Sequence, residues 1–247
     1  MRLLLINPNT SASMTEKAAD AARAVAAFGT EIIAATSRMG PASIEGYYDG
    51  ALAVPGLLSE LKEQRTAGYD AAIIACFDDT GLEAARTFSD VPILGLCESA
   101  VATAGFLAQR FTVVTTLERS RVLIDNLIQR YGMGGRAKVR ASDIAVLELE
   151  DAGSGAIGKL RAEIERALDE DGAEAIVLGC AGMTDLAREL QEIYGVPVID
   201  GVAAAVKQAE TLVSLGLSTS KRGSYASPLP KPFSGAMSDF TPMRASG

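Results

Sequence analysis

With 247 residues, 48% of them apolar and 5% aromatic, the chain can fill one large domain or two lobes with separate cores, and it is too apolar to stay disordered. A net charge of −8 without a basic block argues against nucleic-acid binding, and no apolar run approaches the roughly 20 residues of a membrane span. Histidine is absent, which removes Ser-His and Cys-His pairs, the usual zinc ligands and the commonest general base; proton transfer falls to Cys, Asp, Glu, Lys or Tyr.

The apolar start, Met1 to Ile6, is too short for an export signal and is cut off by Asn7-Pro8-Asn9. Three cysteines without such a signal point to reduced thiols in the cytoplasm. Residues 2–6 read as a buried strand. The turn 7–11 leads into an Ala-rich helix to about residue 27, with Thr10, Ser11 or Ser13 as N-cap and Glu16 completing a capping box with Ser13. Residues 30–36 alternate as a second strand. The stretch 40–50 holds three glycines, Tyr47, Tyr48 and Ile44, and reads either as a flap over a pocket or as an ordinary connection. A helix over 51–66, a strand over 71–76, a helix over 80–88 and a strand over 91–96 follow, and Cys97 opens another helix.

The order then restarts. Residues 110–115 form a strand, 116–120 a turn, 120–131 a helix, 143–149 a strand and 155–171 a helix. Strand 174–179 ends at Cys180, and helix 184–193, strand 196–200 and helix 202–215 complete the half. The Ser-, Pro- and Gly-rich tail from Ser218 reads as a surface arm, partly disordered at its end. Cys76 precedes Val91-Pro92 by 15 residues and Cys180 precedes Val196-Pro197 by 16, while Leu82 and Leu186 stand at equal distances after the two cysteines. Such an internal repeat predicts an α/β fold of two pseudo-symmetric lobes, each a parallel β-sheet flanked by helices, with the active site in the cleft between them.

Cys76 and Cys180 then approach one small molecule from opposite sides. The spacing predicts each thiol just before a helix N-terminus, a position that lowers a thiol pKa from about 8.5 towards neutrality. A base on one face and an acid on the other would invert a carbon stereocentre through a planar intermediate. Backbone N–H groups of 77–80 and 181–184 could hold an enolate oxygen. Thr80 and Thr184 are read as helix caps and Cys97 as structural. Asp78 and Asp79 read as a solvated turn or cap; beside Cys76 they could instead orient a ligand N–H or bias the thiol.

At these residues the sequence resembles the Asp/Glu/hydantoin racemase superfamily, most closely its hydantoin/allantoin racemase branch. The likeness rests on residues 6–11, 40–46, Cys76 to Asp79, Gly179 to Met183 and 228–232. It implies a cofactor-free, metal-free racemase that inverts C5 of a cyclic ureide, either a 5-substituted hydantoin or allantoin, and a homo-oligomer. By that likeness Cys76 and Cys180 are the acid and base, and Asn9, Ser43, Ile44, Phe77, Asp78, Asp79, Thr115, Thr116, Ala181 and Gly182 line the pocket. It also implies that the C-terminal segment returns to the first lobe, giving 1–100 plus 205–247 against 101–204. Amino-acid racemases of the superfamily carry Gly-Cys-Thr-His where this chain has Gly179-Cys-Ala-Gly182, and an arylmalonate decarboxylase keeps only the second cysteine. A maleate cis-trans isomerase and a duplicated non-catalytic binding protein are the competing readings.

Overall fold

The computed structural model describes residues 1–151 and 153–242. The first sheet comprises β1 (Arg2–Asn7), β2 (Glu31–Thr36), β3 (Ala71–Ile74) and β4 (Ile93–Gly95), all parallel, in the order β2-β1-β3-β4. The second comprises β5 (Phe111–Thr115), β6 (Ala137–Ala141), β7 (Ala175–Leu178) and β8 (Val198–Asp200), also parallel, in the order β6-β5-β7-β8. Helices α1 (Ala12–Val25), α2 (Tyr47–Gln64), α3 (Leu82–Phe88) and α4 (Leu96–Leu107) connect or follow the first set. Helices α5 (Glu118–Arg130), α6 (Ala156–Asp171), α7 (Ala187–Tyr194) and α8 (Gly201–Ser214) do so for the second. Leu3 to Ile6 of β1 are fully buried, because β1 is an inner strand of a parallel sheet whose faces are covered by helices.

Alternation along the strands divides the core. Leu3, Leu5, Ile73, Phe111, Val113 and Val177 point into one cluster shared by both lobes. Leu4, Ile6 and Ile74 point into a cluster beneath α2 and α3, and Val114, Ile176 and Leu178 into one beneath α6 and α7. The shared cluster is closed by two exchanged helices. Helix α4 packs against β7 and β8 of the other lobe, and α8 packs against β3, β4 and α1. The expected lobe boundaries, 100/101 and 204/205, fall inside these two helices. The arm after α8 runs along the first lobe: Thr219 N–H donates to Asp90 O (3.0 Å) and Tyr225 Oη to Glu83 (2.6 Å). The end expected to be disordered, 243–247, lies outside the described residues.

Three expectations change. The strand expected at 143–149 is instead β6 at Ala137–Ala141; Ala137 and Val139 face inward, while Lys138 and Arg140 face outward and pair with Asp171. Asp143 takes a left-handed φ of 54°, which ends the extended run before Ile144. Tyr47 and Tyr48 are the exposed first turn of α2 rather than part of a 40–50 loop, because Gly46, at φ 142°, turns the chain into the helix. Neither Thr80 nor Thr184 caps a helix: α3 begins after Gly81, and Thr184 sits inside a 3-10 turn at Ala181–Leu186.

The exchanged helices are capped by different means. Asp200 immediately precedes α8 and accepts from Val202 N (3.1 Å) and Ala203 N (2.8 Å). The position before α4 is Gly95, and Asp79 reaches over from the loop after β3 to accept from Cys97 N (3.0 Å) and Glu98 N (2.9 Å). A Cβ on Gly95 would stand 2.3 Å from Asp79 Oδ1. Gly95→Ala is therefore expected to destabilise the protein by about 1–3 kcal/mol. Gly158→Ala, in α6 with nothing near its Cβ, should stabilise it by about 0.5–1 kcal/mol. Thermal unfolding of the two variants checks the opposite signs.

Candidate active site

In sheets of this order the crevice opens beyond the carboxyl ends of the first and third strands, where the covering helices diverge. Ile6 pairs with Ile74 in the first sheet and Val114 with Leu178 in the second, so the registers match. Cys76 lies two residues beyond Ile74, as Cys180 does beyond Leu178. Each cysteine then closes the same turn: Asp79 N donates to Cys76 O, and Met183 N to Cys180 O, both at 3.1 Å. The sulfurs also receive hydrogen bonds, Cys76 Sγ from Thr80 Oγ1 (3.4 Å) and Cys180 Sγ from Gly182 N (3.4 Å). A Cβ on Gly182 would meet the Leu149 Cδ1 methyl at 2.9 Å and the Cys180 sulfur at 3.6 Å, so a side chain here would displace Leu149.

Both thiols are pushed up, not down. For Cys76 the largest cause is burial, then the Asp78 charge; the Thr80 hydroxyl and the Asp78 N–H oppose them, and Cys180 adds a further rise. Cys180 is pushed up to about 11 by burial and by Asp78, and is eased by the Gly182 N–H and by Lys17. The expected depression fails because no α-helix starts at either cysteine, and two N–H or O–H contacts do not offset the loss of water. Asp78 raises both thiols, but Cys180 has Lys17 to oppose it and is raised less, so Cys180 is the more easily ionised of the two. Lys17 bridges the lobes through Asp185 (3.1 Å), and neither Lys17 nor Glu45, which also bears on Cys180, was indicated by the sequence.

The remaining pocket residues divide into groups. Asn9 is buried after β1, where its Oδ1 accepts from Asn7 Nδ2 (2.7 Å) and Ser11 N (2.9 Å), so the turn is rigid. Thr115 Oγ1 is turned to Gly179 O (3.2 Å), while Thr116 is buried beside it after β5. Ile44 is buried and Ser43 half-buried in the 40–46 loop, which is tied to the second lobe by Val146 N donating to Glu45 Oε1 (3.0 Å). Phe77 belongs to the shared core, and Ala181 packs at its edge. Asp79 is not a solvated turn: besides capping α4 it accepts from Tyr131 Oη (2.6 Å), so its carboxylate is fully engaged. Asp78 differs. Its Oδ2 is buried with no hydrogen-bond partner among the described residues, and burial together with the Asp79 charge raises its pKa to about 7. Cys97 is buried in the shared core.

The sequence pattern of the Asp/Glu/hydantoin racemase family matches residues 3–209. The chain is 50% identical to a hydantoin racemase of Rhizobium meliloti over 92% of this chain and 95% of that one. It is 46% identical to a hydantoin racemase of Pseudomonas sp. (strain NS671), covering 97% of both. The solved structure of an allantoin racemase from Klebsiella pneumoniae superposes with a TM-score of 0.95 at 48% identity, covering 98% of this chain and all of that one. With these relatives the two-lobed fold is that of a racemase, an isomerase by class. The chain belongs to the Asp/Glu/hydantoin racemase family.

Removal of the like charge at Asp78 should favour both thiolates. In Asp78→Asn, iodoacetamide alkylation of Cys76 and Cys180 should shift to lower pH, with Cys180 reacting before Cys76 in either protein. Peptide mapping by mass spectrometry reads each site separately, and the buried Cys97 serves as an unreactive internal control.

Proposed function

We propose that this protein inverts C5 of a 5-substituted hydantoin or of allantoin without a cofactor, with Cys76 and Cys180 exchanging the roles of acid and base. The observation that carries the reading is the duplicated placement of the two thiols, each two residues beyond an equivalent strand, with Cys180 close enough to bear on Cys76. In one direction the Cys180 thiolate takes the C5 proton, and the C–H electron pair moves into the adjacent ring carbonyl to give a planar enolate. Cys76 then delivers its proton to the opposite face, leaving Cys180 protonated and Cys76 as thiolate; the return reaction swaps them. Backbone N–H groups in the turns after Cys76 and Cys180 are the donors proposed to face the enolate oxygen.

High thiol pKa values suit this chemistry. A carbon acid needs a strong base, and base strength rises with the pKa of the conjugate acid. The cost is population: with Cys180 at about 11, only about one molecule in 10⁴ carries the thiolate at pH 7. Racemisation should accordingly accelerate about tenfold per pH unit between pH 7 and 9, because deprotonation of Cys180 creates the active form while Cys76, pushed higher, keeps its proton. A flat profile over that range would contradict the assignment. Cys76→Ser and Cys180→Ser should each lower turnover by about 10²–10⁴, followed by polarimetry. In deuterated water, label should enter the product enantiomer first, as two separate bases require. The further expectations are a cytoplasmic protein and a homo-oligomer; among the described residues no helix is long and apolar enough to cross a membrane, and Phe28 and Phe106 are exposed apolar side chains available to a second copy.

A further inference from the structure

Asp78 keeps a buried side-chain oxygen that no hydrogen bond among the described residues engages. Neighbouring Asp79 is consumed by α4 and Tyr131, and Asn9 and Thr115 by their own turns. Asp78 Oδ2 has lost water and gained no donor among the described residues, an arrangement that costs free energy unless a ligand supplies one. The carboxylate belongs to the turn that follows Cys76, and its charge bears on both Cys76 and Cys180. Asp78 also lines a cavity of about 450 Å³ between the lobes, bordered by Tyr47, Thr80, Asn126 and Arg130.

We infer that Asp78 selects the substituent at C5, accepting its N–H groups, so that the preferred substrates are cyclic ureides with a ureido or similar donor-bearing side group over those with alkyl or aryl groups. This rests on the ureide reading above. A ureido group presents two parallel N–H donors, the geometry that a carboxylate takes up in bidentate fashion. A hydrocarbon of the same shape would seal the carboxylate away from water with nothing to pair it. A ring N–H alone would serve every hydantoin equally and would leave the adjoining cavity without a role.

Allantoin and 5-isobutylhydantoin form a shape-matched pair, branched four-atom substituents that differ in their donors. The wild-type protein should show at least tenfold higher kcat/KM for allantoin. Because loss of the Asp78 charge also acts on both thiols and so on both substrates, the readout is the ratio: Asp78→Leu should lower the allantoin/isobutylhydantoin ratio of kcat/KM at least tenfold, and Asp78→Asn should fall between. The same pair is titrated by calorimetry into a Cys76→Ala/Cys180→Ala variant with and without Asp78→Leu, so that the ratio of affinities is read even if neither compound is racemised. Failure of the racemase reading shows as absent turnover with the affinity ratio intact. Equal losses for both ligands in Asp78→Leu would assign the carboxylate to the ring and overturn the inference, as would equal binding of the two by the parent protein.

Discussion

The structure depends on the exchange of α4 and α8. Each helix begins at the end of its own sheet and packs on the other, and the two first residues meet: a Cβ added to Gly201 would stand 3.0 Å from Leu96 Cβ. Parting the lobes would therefore expose the shared core of Leu3, Leu5, Val113 and Val177 along with both helices, hydrophobic surface worth about 25 cal/mol per Å². A cleft built on such a core cannot open by hinge motion of whole lobes. The separation of Cys76 and Cys180 is set by the fold, and adjustment is left to the 40–46 loop and its Glu45 contact with Val146.

Burial of acidic groups at this junction is the electrostatic counterpart. Asp78 and Asp79 are both raised above the ordinary carboxylate range, to about 7 and about 6, chiefly by loss of water. Groups whose folded-state pKa exceeds the unfolded value weaken the fold as pH rises through that interval, so this turn is less favourable at pH 8 than at pH 4. Asp79 offsets the cost with three donors. Asp78 has no donor for Oδ2 among the described residues, so its burial is a cost to stability that the turn itself does not offset.

The repeat was legible because strand length, the position of cysteine after each run and the Val-Pro pairs all survive in both halves. Elements with a strong period emerged within a few residues. The sixth strand was missed because Lys138 and Arg140 make Ala137–Ala141 look like a polar turn; their pairing with Asp171 is a tertiary fact that no local pattern displays. The thiol pKa direction was misjudged for a similar reason. A helix following a cysteine and the aspartates beside Cys76 can be seen in sequence, but the depth at which the sulfur is buried, and the reach of Asp78 and Lys17 onto Cys180 from other segments, cannot. Engagement of Asp79 with α4 was hidden as well, since its partner positions lie 18 and 19 residues away and depend on the missing side chain of Gly95.

Duplication produced two equivalent turns, and divergence made them unlike: Cys76 is followed by Phe77, Asp78 and Asp79, whereas Cys180 is followed by Ala181, Gly182 and Met183. For the proposed reaction this asymmetry is compatible with a symmetric outcome. Interconversion of enantiomers has an equilibrium constant of one, so kcat/KM must be the same in both directions however different the two thiols are. The unequal surroundings can only decide which thiol rests as the base, and hence how each direction divides its kcat/KM between kcat and KM. The ring approached by the two sulfurs is itself lopsided, with a substituent on one side of C5 and a carbonyl on the other. A site proposed to recognise such a molecule has to break the symmetry of its own scaffold, and the two turns differ most where Asp78 stands against Gly182.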